Sequence, residues 1–302
     1  MPTQTRRDFL KLSTLAGAAT LLPGASATAM ASIPREFCIF TKHLQSLSFN
    51  QLAEVTAEMG AQGIEAPIRP GGQVEPERVE EDLPKLAEAL RKSGLNITIL
   101  TSGITEVSAS QHTEKVLRTA RALGVRRYRM GFCKYDLNRP IWPQLEAWGV
   151  KFKNLVALSR EIGIQPLFQN HSGKDYVGAP VWDLFSLMKE YPASDWSFAF
   201  DIYHATVEGS KSWPLEVNLV REHIGAAYFK DFKWGPKGAE TCPLGEGVVG
   251  REYITMLKKF GYSGPVSLHV EYLEDRAKDP GYLAEAVKAT SRDLALLKNW
   301  WK

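Results

Sequence analysis

The chain has 302 residues, 44% of them hydrophobic and 24% charged, which gives enough apolar material for one large core and no bias toward disorder. Its formal charge is +3, and setting aside the first 31 residues removes Arg6, Arg7 and Lys11 against Asp8, so the rest is nearly neutral and has no electrostatic footprint for nucleic acid. Cys38, Cys133 and Cys242 show no Cys-x-x-Cys spacing, which argues against a disulfide framework or a zinc knot. Cys38 and Cys133 lie in apolar runs and are expected to be plain buried thiols.

Residues 1–31 are set apart from the fold. They combine a basic start, an apolar stretch from Leu12 to Leu22, and small-residue sites at Ala25-Ser26-Ala27 and Ala29-Met30-Ala31, the features of a cleavable export signal. Thr5-Arg6-Arg7-Asp8-Phe9-Leu10-Lys11 resembles the twin-arginine signal of proteins exported already folded, so a periplasmic location is expected. No later stretch approaches 18 apolar residues, so no membrane span is expected in 32–302.

From Phe37 onward, short apolar runs alternate with longer amphipathic ones. FCIFTK (37–42) is read as a strand and 48–60 as a helix with Leu52, Val55 and Met59 on one face, stopped at Gly60. GIEAPI (63–68) is the second strand, followed by a helix over 77–93. NITILTS (96–102) is the third, with a helix over 111–123, and VRRYRMG (125–131) the fourth, with a helix over about 143–162. IQPLFQNH (164–171) and a short helix near 181–190 come next, then WSFAFDIYH (196–204) and a helix over 214–222. IGAAYFKDF (224–232) is the seventh strand, followed by a glycine-rich loop and a helix over 251–260. GPVSLHVEY (264–272) is the eighth, and a helix from about 280 ends the chain. Eight strand–helix pairs in one uninterrupted series predict an α/β fold, a single (β/α)8 TIM barrel over 32–302. An open doubly wound sheet is the alternative, but no glycine-rich dinucleotide fingerprint follows the first strand.

Such barrels carry their chemistry at the C-terminal ends of the strands. Polar residues predicted there are Glu65 and Arg69 after the second strand, Arg129 at the fourth, and Gln169 and His171 at the fifth. The sixth supplies Asp201 and His204, the seventh Tyr228, Lys230 and Asp231, and the eighth His269 and Glu271. Alternation pairs Tyr228 with Lys230, His269 with Glu271, and Gln169 with His171 on common faces. Asp201 and His204, where a strand gives way to a loop, can turn toward one point and hold a metal, or be a hydrogen-bonded loop Asp beside a structural His. Glu65 either serves the site or pins a neighbouring arginine, His269 is either a ligand or a satisfied core histidine, and Lys230-Asp231 is open to reading as a rim ion pair. Convergence of Asp201, His204 and Glu271 on one barrel end favours a divalent metal site.

With these marks the chain resembles the xylose-isomerase-like barrel superfamily over about 37–300, through Asp-x-x-His (Asp201, His204), the Lys-Asp pair (Lys230, Asp231), the PLGEG loop holding Glu246, and the terminal-strand Glu271. The resemblance implies a divalent metal (Mn, Zn, Co, Fe or Mg) held by a fifth-strand Glu, the Asp of Asp-x-x-His, a seventh-strand His and the last-strand Glu, with the two glutamates moving protons beside a carbonyl. Here Gln169 stands at the first of these positions and Tyr228 at the third. Gln169 can still offer a carbonyl oxygen but cannot accept a proton. The metal set expected is therefore Asp201, His204, Glu271 and Gln169. Glu271, His171, Lys230 and Tyr228 are the acid–base candidates, and Glu65, Arg69, Arg129, His269 and Glu246 the substrate contacts.

Together these imply a sugar isomerase, epimerase or lyase acting on an unphosphorylated sugar, keto-sugar or glycoside by proton abstraction next to a carbonyl, with a homo-oligomer left open. Trp142, Trp148, Trp182, Tyr203, Trp213 and Trp234 are available to stack on sugar rings or to serve as lids and core edges. The competing readings are a sugar-binding barrel without catalysis, and an endonuclease IV-like phosphoester hydrolase, which would need more His and Glu ligands than the sequence offers.

Overall fold

The structure, a computed structural model, describes residues 35–302, and the expected export signal lies outside them. Eight parallel strands close into one barrel: β1 (Phe37–Phe40), β2 (Gly63–Ile68), β3 (Asn96–Ser102), β4 (Arg127–Arg129), β5 (Gln165–Gln169), β6 (Ser197–Asp201), β7 (Ile224–Phe229) and, after a hairpin of β8 (Asp231–Gly235) and β9 (Gly238–Cys242), β10 (Val266–Leu268). β1 closes the ring between β2 and β10. Most strand residues are buried on both faces, as a parallel sheet covered by helices requires.

The covering helices are α1 (Phe49–Glu58), α2 (Val79–Lys92), α3 (Thr113–Ala122), α4 (Ile141–Ile162), α5 (Trp182–Met188), α6 (Ile202–Gly209), α7 (Trp213–Val220), α8 (Glu252–Lys259) and α9 (Tyr282–Trp301). Ser48 and Gln51 form a capping box that starts α1, and α4 ends where Gly163 takes the left-handed conformation (φ 79°) that a side chain would resist. Among the described residues no helix is long and apolar enough to cross a membrane, and the three cysteines are free and buried.

Three local departures from the sequence expectation matter for the site. Asp201 does not end a strand before a loop: its Oδ1 accepts the backbone N–H groups of Tyr203 (3.0 Å) and His204 (3.4 Å), so the carboxylate caps α6, which begins at the next residue. The seventh strand stops at Phe229 instead of running to 232, and Asp231 opens the β8–β9 hairpin, which takes up part of the expected loop. The last barrel strand is only three residues long, which leaves His269 and Glu271 on the loop above it.

Asp231 is not half of an ion pair with Lys230. Its carboxylate is buried and accepts N–H groups from Phe232, Gly245, Gly247 and Val249 at 2.8–2.9 Å, so it ties the PLGEG loop to the start of the hairpin. A Cβ at Gly247 would collide with the Phe232 carbonyl, which accounts for glycine there.

Candidate active site

Inside the barrel, residues two apart along a strand point to the same lumen, one level above the other. The lower level is apolar: Cys38, Ile99, Leu167, Ala199, Ala226 and Tyr228 pack together there. Two residues further along, the same strands present Phe40, Thr101, Gln169, Asp201 and Lys230, joined by Glu65, Arg129 and His269.

The cluster is a continuous polar network. Glu65 is fully buried and accepts from Thr101 (2.5 Å), Ser267 (2.7 Å) and His269 Nε2 (3.0 Å), with Arg129 Nε at 3.7 Å. Burial opposes its ionisation, but the neighbouring His269 and Arg129 outweigh that and hold its carboxyl at about 2. Arg129 Nη1 donates to Gln169 Oε1, and Gln169 Nε2 donates to Asp201 Oδ2 (2.8 Å). Lys230 Nζ stands 3.5 Å from the same Oδ2 and 3.2 Å from Glu271 Oε2. His269 Nδ1 faces Glu271 Oε1 at 3.5 Å, which closes the circuit back to Glu65. Burial opposes the charge on Lys230 and on His269, yet the carboxylates beside each raise both.

The two loop histidines stack, ring centroids 3.9 Å apart. Ser172 fixes their tautomers. Its backbone N–H donates to His204 Nδ1 (3.1 Å), so the neutral ring carries its proton on Nε2, 3.6 Å from Asp201 Oδ2. Its carbonyl can only accept, so His171 Nδ1 donates (2.9 Å) and His171 Nε2 keeps the lone pair. Burial, reinforced by the Lys230 ammonium, lowers His171 to about 4 and His204 well below its ordinary value, so both are neutral at pH 7. Glu271 is the carboxylate of the cluster with an open face, its side chain 24% exposed against 0% for Asp201 and Glu65. Burial opposes its ionised form, but Lys230 and His269 hold it well below the carboxylate range.

Within this network Glu65 and His269 are buried supports, and the remaining candidates lie outside it. Tyr228 lies in the apolar level, its hydroxyl beside Glu65 but without a hydrogen bond, and burial raises it well above its ordinary range, so it is misplaced as an acid–base group. Glu246 is at the surface near Lys233 and Arg292, away from the cluster. Arg69 reaches the mouth over the Phe40 ring (5.8 Å). Of the six aromatics, Tyr203 is the one beside the cluster, with Lys230 Nζ 4.9 Å from its ring centre. Trp142, Trp182 and Trp234 are exposed, while Trp148 and Trp213 pack against Phe152 and Tyr253.

Sequence reading gave Asn170, at the end of the fifth strand, no role and missed Ser172, Phe132 and Tyr176. Asn170 locks β5 to Asp201 through both the backbone N–H and C=O of Asp201 (2.8 and 3.0 Å), and Phe132 and Tyr176 pack against His171. The run Gln169-Asn170-His171-Ser172 directly after a strand was the available signal, because four polar side chains at a strand end have no solvent-facing reason to be there.

A family model described as a xylose isomerase-like TIM barrel matches residues 53–300. The chain belongs to the xylose isomerase-like TIM barrel family. No curated protein matches it. Among solved structures, it is similar to 3-keto-D-glucoside 4-epimerase from E. coli (14% identity, 88% of this chain and 99% of that one, TM-score 0.65). It is also similar to the probable 3-DHS dehydratase of petrobactin synthesis from Bacillus anthracis (14%, 88% and 99%, TM-score 0.64). A third is a xylose isomerase-like TIM barrel protein from Mycobacterium smegmatis in complex with magnesium (15%, 89% and 98%, TM-score 0.61). At these identities the likeness speaks for the fold.

The side chains expected to hold a divalent metal do not fit one. Asp201 Oδ1 is committed to the α6 cap and its Oδ2 to the Gln169 amide N–H, while His204 Nε2 carries a proton instead of a free lone pair. Among the described residues, no three of His, Cys, Asp and Glu are grouped to hold a metal. The position nearest both Asp201 and Glu271 is filled by the ammonium of Lys230, the residue directly after β7, while Tyr228 packs in the apolar level.

Proposed function

We propose that the protein is a carbohydrate-acting enzyme that moves a proton at the carbon next to a carbonyl, as an isomerase, epimerase or β-eliminating lyase of an unphosphorylated keto-sugar or glycoside. The observation that carries this reading is Glu271, an ionised carboxylate with an open face, beside the Lys230 ammonium at 3.2 Å: a base next to a fixed positive charge. The C–H proton passes to a Glu271 oxygen while the bonding pair moves toward the carbonyl oxygen, and the enolate charge forms next to Lys230. Return of the proton to the former carbonyl carbon, with the hydroxyl proton of the deprotonated carbon passing to the former carbonyl oxygen, gives isomerisation, and departure of a β-oxygen with the electron pair of its C–O bond gives elimination.

Glu271 approaches from the β10 side of the mouth and His171, with its Nε2 lone pair, from the β5 side, with β6 and β7 between them. This placement supports epimerisation with a second proton carrier, a reaction for which Gln169 is unsuited. That a structural relative is a 4-epimerase of a 3-keto-glucoside, whose reacting carbon adjoins the ketone, agrees with this chemistry. Export through the twin-arginine route, read from residues 1–31, favours an unphosphorylated substrate and a periplasmic site of action.

The test is proton NMR in D2O with ketohexoses and 3-keto-glucosides, following loss of the signal at the carbon next to the carbonyl. Enzyme-dependent exchange that is lost in Glu271→Gln supports the reading. Saturable binding of the same sugars with neither exchange nor elimination would make the chain a sugar-binding barrel instead.

A further inference from the structure

We infer that Lys230 occupies the place of a divalent metal in this barrel, and that the native site is organised around this built-in ammonium and takes up no divalent cation. Lys230 Nζ bridges the carboxylates of Asp201, at the end of the sixth barrel strand, and Glu271, on the loop after the eighth, at 3.5 and 3.2 Å. Its side chain is only 4% exposed, so the charge is part of the wall of the site.

The neighbouring groups are arranged for a cation that brings its own protons. A metal ion needs lone pairs from every neighbour. An ammonium donates and tolerates neighbours that also donate. Asp201 Oδ2 accepts from the Gln169 amide at 2.8 Å, with the Lys230 ammonium at 3.5 Å and His204 Nε2, which has no hydrogen-bond partner, at 3.6 Å. The orientation of the Gln169 amide is fixed by its other end, where Arg129 can only donate and therefore requires the oxygen. Glutamate at 169 would supply a metal ligand but would leave Asp201 facing an acceptor, so Gln169 and Lys230 form one consistent exchange. The pair replaces one carboxylate and one neutral ligand by an amide donor and a fixed positive charge. Lys230 lies between Asp201 and Glu271, and Arg129 and His269 lie beside Glu65.

The catalytic part of this inference, that Lys230 carries the enolate charge, rests on the function proposed above, whereas the binding part does not. The binding part is tested first, on the chain as produced in manganese-supplemented medium, by elemental analysis and by calorimetric titration with Mn2+. Wild type is expected to be substoichiometric in metal and to show no saturable binding into the millimolar range. Gln169→Glu combined with Lys230→His is expected to bind one Mn2+ at least about 100-fold more tightly than wild type. Stoichiometric metal in the wild type that disappears in Asp201→Asn would overturn the inference. So would a folded double variant that still takes no metal.

Should the double variant not fold, Lys230→Ala gives a second readout: it leaves two carboxylates facing a gap, and either methylammonium or Mn2+ is expected to raise its melting temperature while leaving that of wild type unchanged. No rise with either cation would overturn the inference. In the exchange assay, Lys230→Ala is expected to lose at least about 100-fold, with partial rescue by methylammonium. Exchange within about threefold of wild type would remove Lys230 from the chemistry while leaving Glu271 and the proposed reaction in place. Absence of exchange by wild type on every sugar would sink the proposed reaction and leave the metal results to stand by themselves.

Discussion

The lumen of the barrel has two levels built by the same strands, and they differ in almost every physical respect. Leu167 leads to Gln169, Ala199 to Asp201, Ile99 to Thr101 and Tyr228 to Lys230, each step two residues along one strand. Below, small and apolar side chains fill the interior and nothing ionises. Above, four acidic or basic side chains that are less than 5% exposed, Glu65, Arg129, Asp201 and Lys230, sit within one network together with His269 and the more open Glu271. The lower level spends no free energy on desolvating charge and serves as a platform. The upper level is costly to assemble, and its groups tolerate burial only because each meets a partner of opposite sign or a hydrogen bond. Stability and chemistry are thus separated by a single pleat.

The largest effect is expected from breaking the upper level at its base. Glu65→Gln leaves His269 and Arg129 without their buried counter-charge and should cost about 3–5 kcal/mol in denaturant unfolding at pH 7. Its pH dependence is diagnostic. The Glu65 carboxyl lies near 2 in the folded protein against an ordinary 4.5, so its contribution is complete above about 4.5 and is lost as pH falls toward 2. His269 is shifted the other way, so its contribution is complete below its ordinary 6.5 and is lost as pH rises through its folded value. Both slopes should flatten in Glu65→Gln. Retention of the acid limb in that variant would place its origin elsewhere.

Glu271→Gln tests the open edge of the same level. Exchange in D2O should fall at least 100-fold, about 2.7 kcal/mol of barrier, with little change in unfolding free energy because this side chain is the most exposed of the network. An equal loss of stability and activity would mean that Glu271 is a support like Glu65.

How much of this was legible in the sequence follows from the same two levels. The periods were plain: eight apolar runs of strand length alternating with amphipathic helices fixed the barrel, and strand-end polarity pointed to Gln169, Asp201, Lys230 and Glu271. What could not be read was which polar residue takes which partner. A rim ion pair was one open reading of Lys230-Asp231, yet neighbours along an extended chain point to opposite faces, and Asp231 instead gathers four backbone N–H groups. Tyr228 was placed at the third ligand position by the family resemblance, yet its side chain lies in the apolar level, and it is Lys230, two residues on, that faces Asp201 and Glu271. The α6 cap was likewise invisible, since Asp-x-x-His reads equally as a ligand pair or as the first turn of a helix.

Asp231→Ala probes the level above the mouth. Losing four accepted hydrogen bonds should destabilise by about 2 kcal/mol, partly offset as water reaches Gly245 and Gly247. Hydrogen exchange should accelerate over 245–249 and leave the β5 and β6 amides protected. Uniform acceleration through the barrel would show the loop to be part of the global folding unit.

The smallest effect is expected from Tyr228→Phe, and it is the one that separates the two levels most cleanly. The Tyr228 hydroxyl is buried, lies beside Glu65 and has no hydrogen bond, so its removal strands no partner and relieves a desolvated group. Unfolding free energy should change by less than about 1 kcal/mol, in either direction, and exchange should stay within about threefold of wild type. If Tyr228 instead supplied a proton to a leaving oxygen, the same variant would lose at least 10-fold in elimination at unchanged stability. That result would extend the chemistry one pleat deeper into the barrel than the network of Glu65, Lys230 and Glu271 implies.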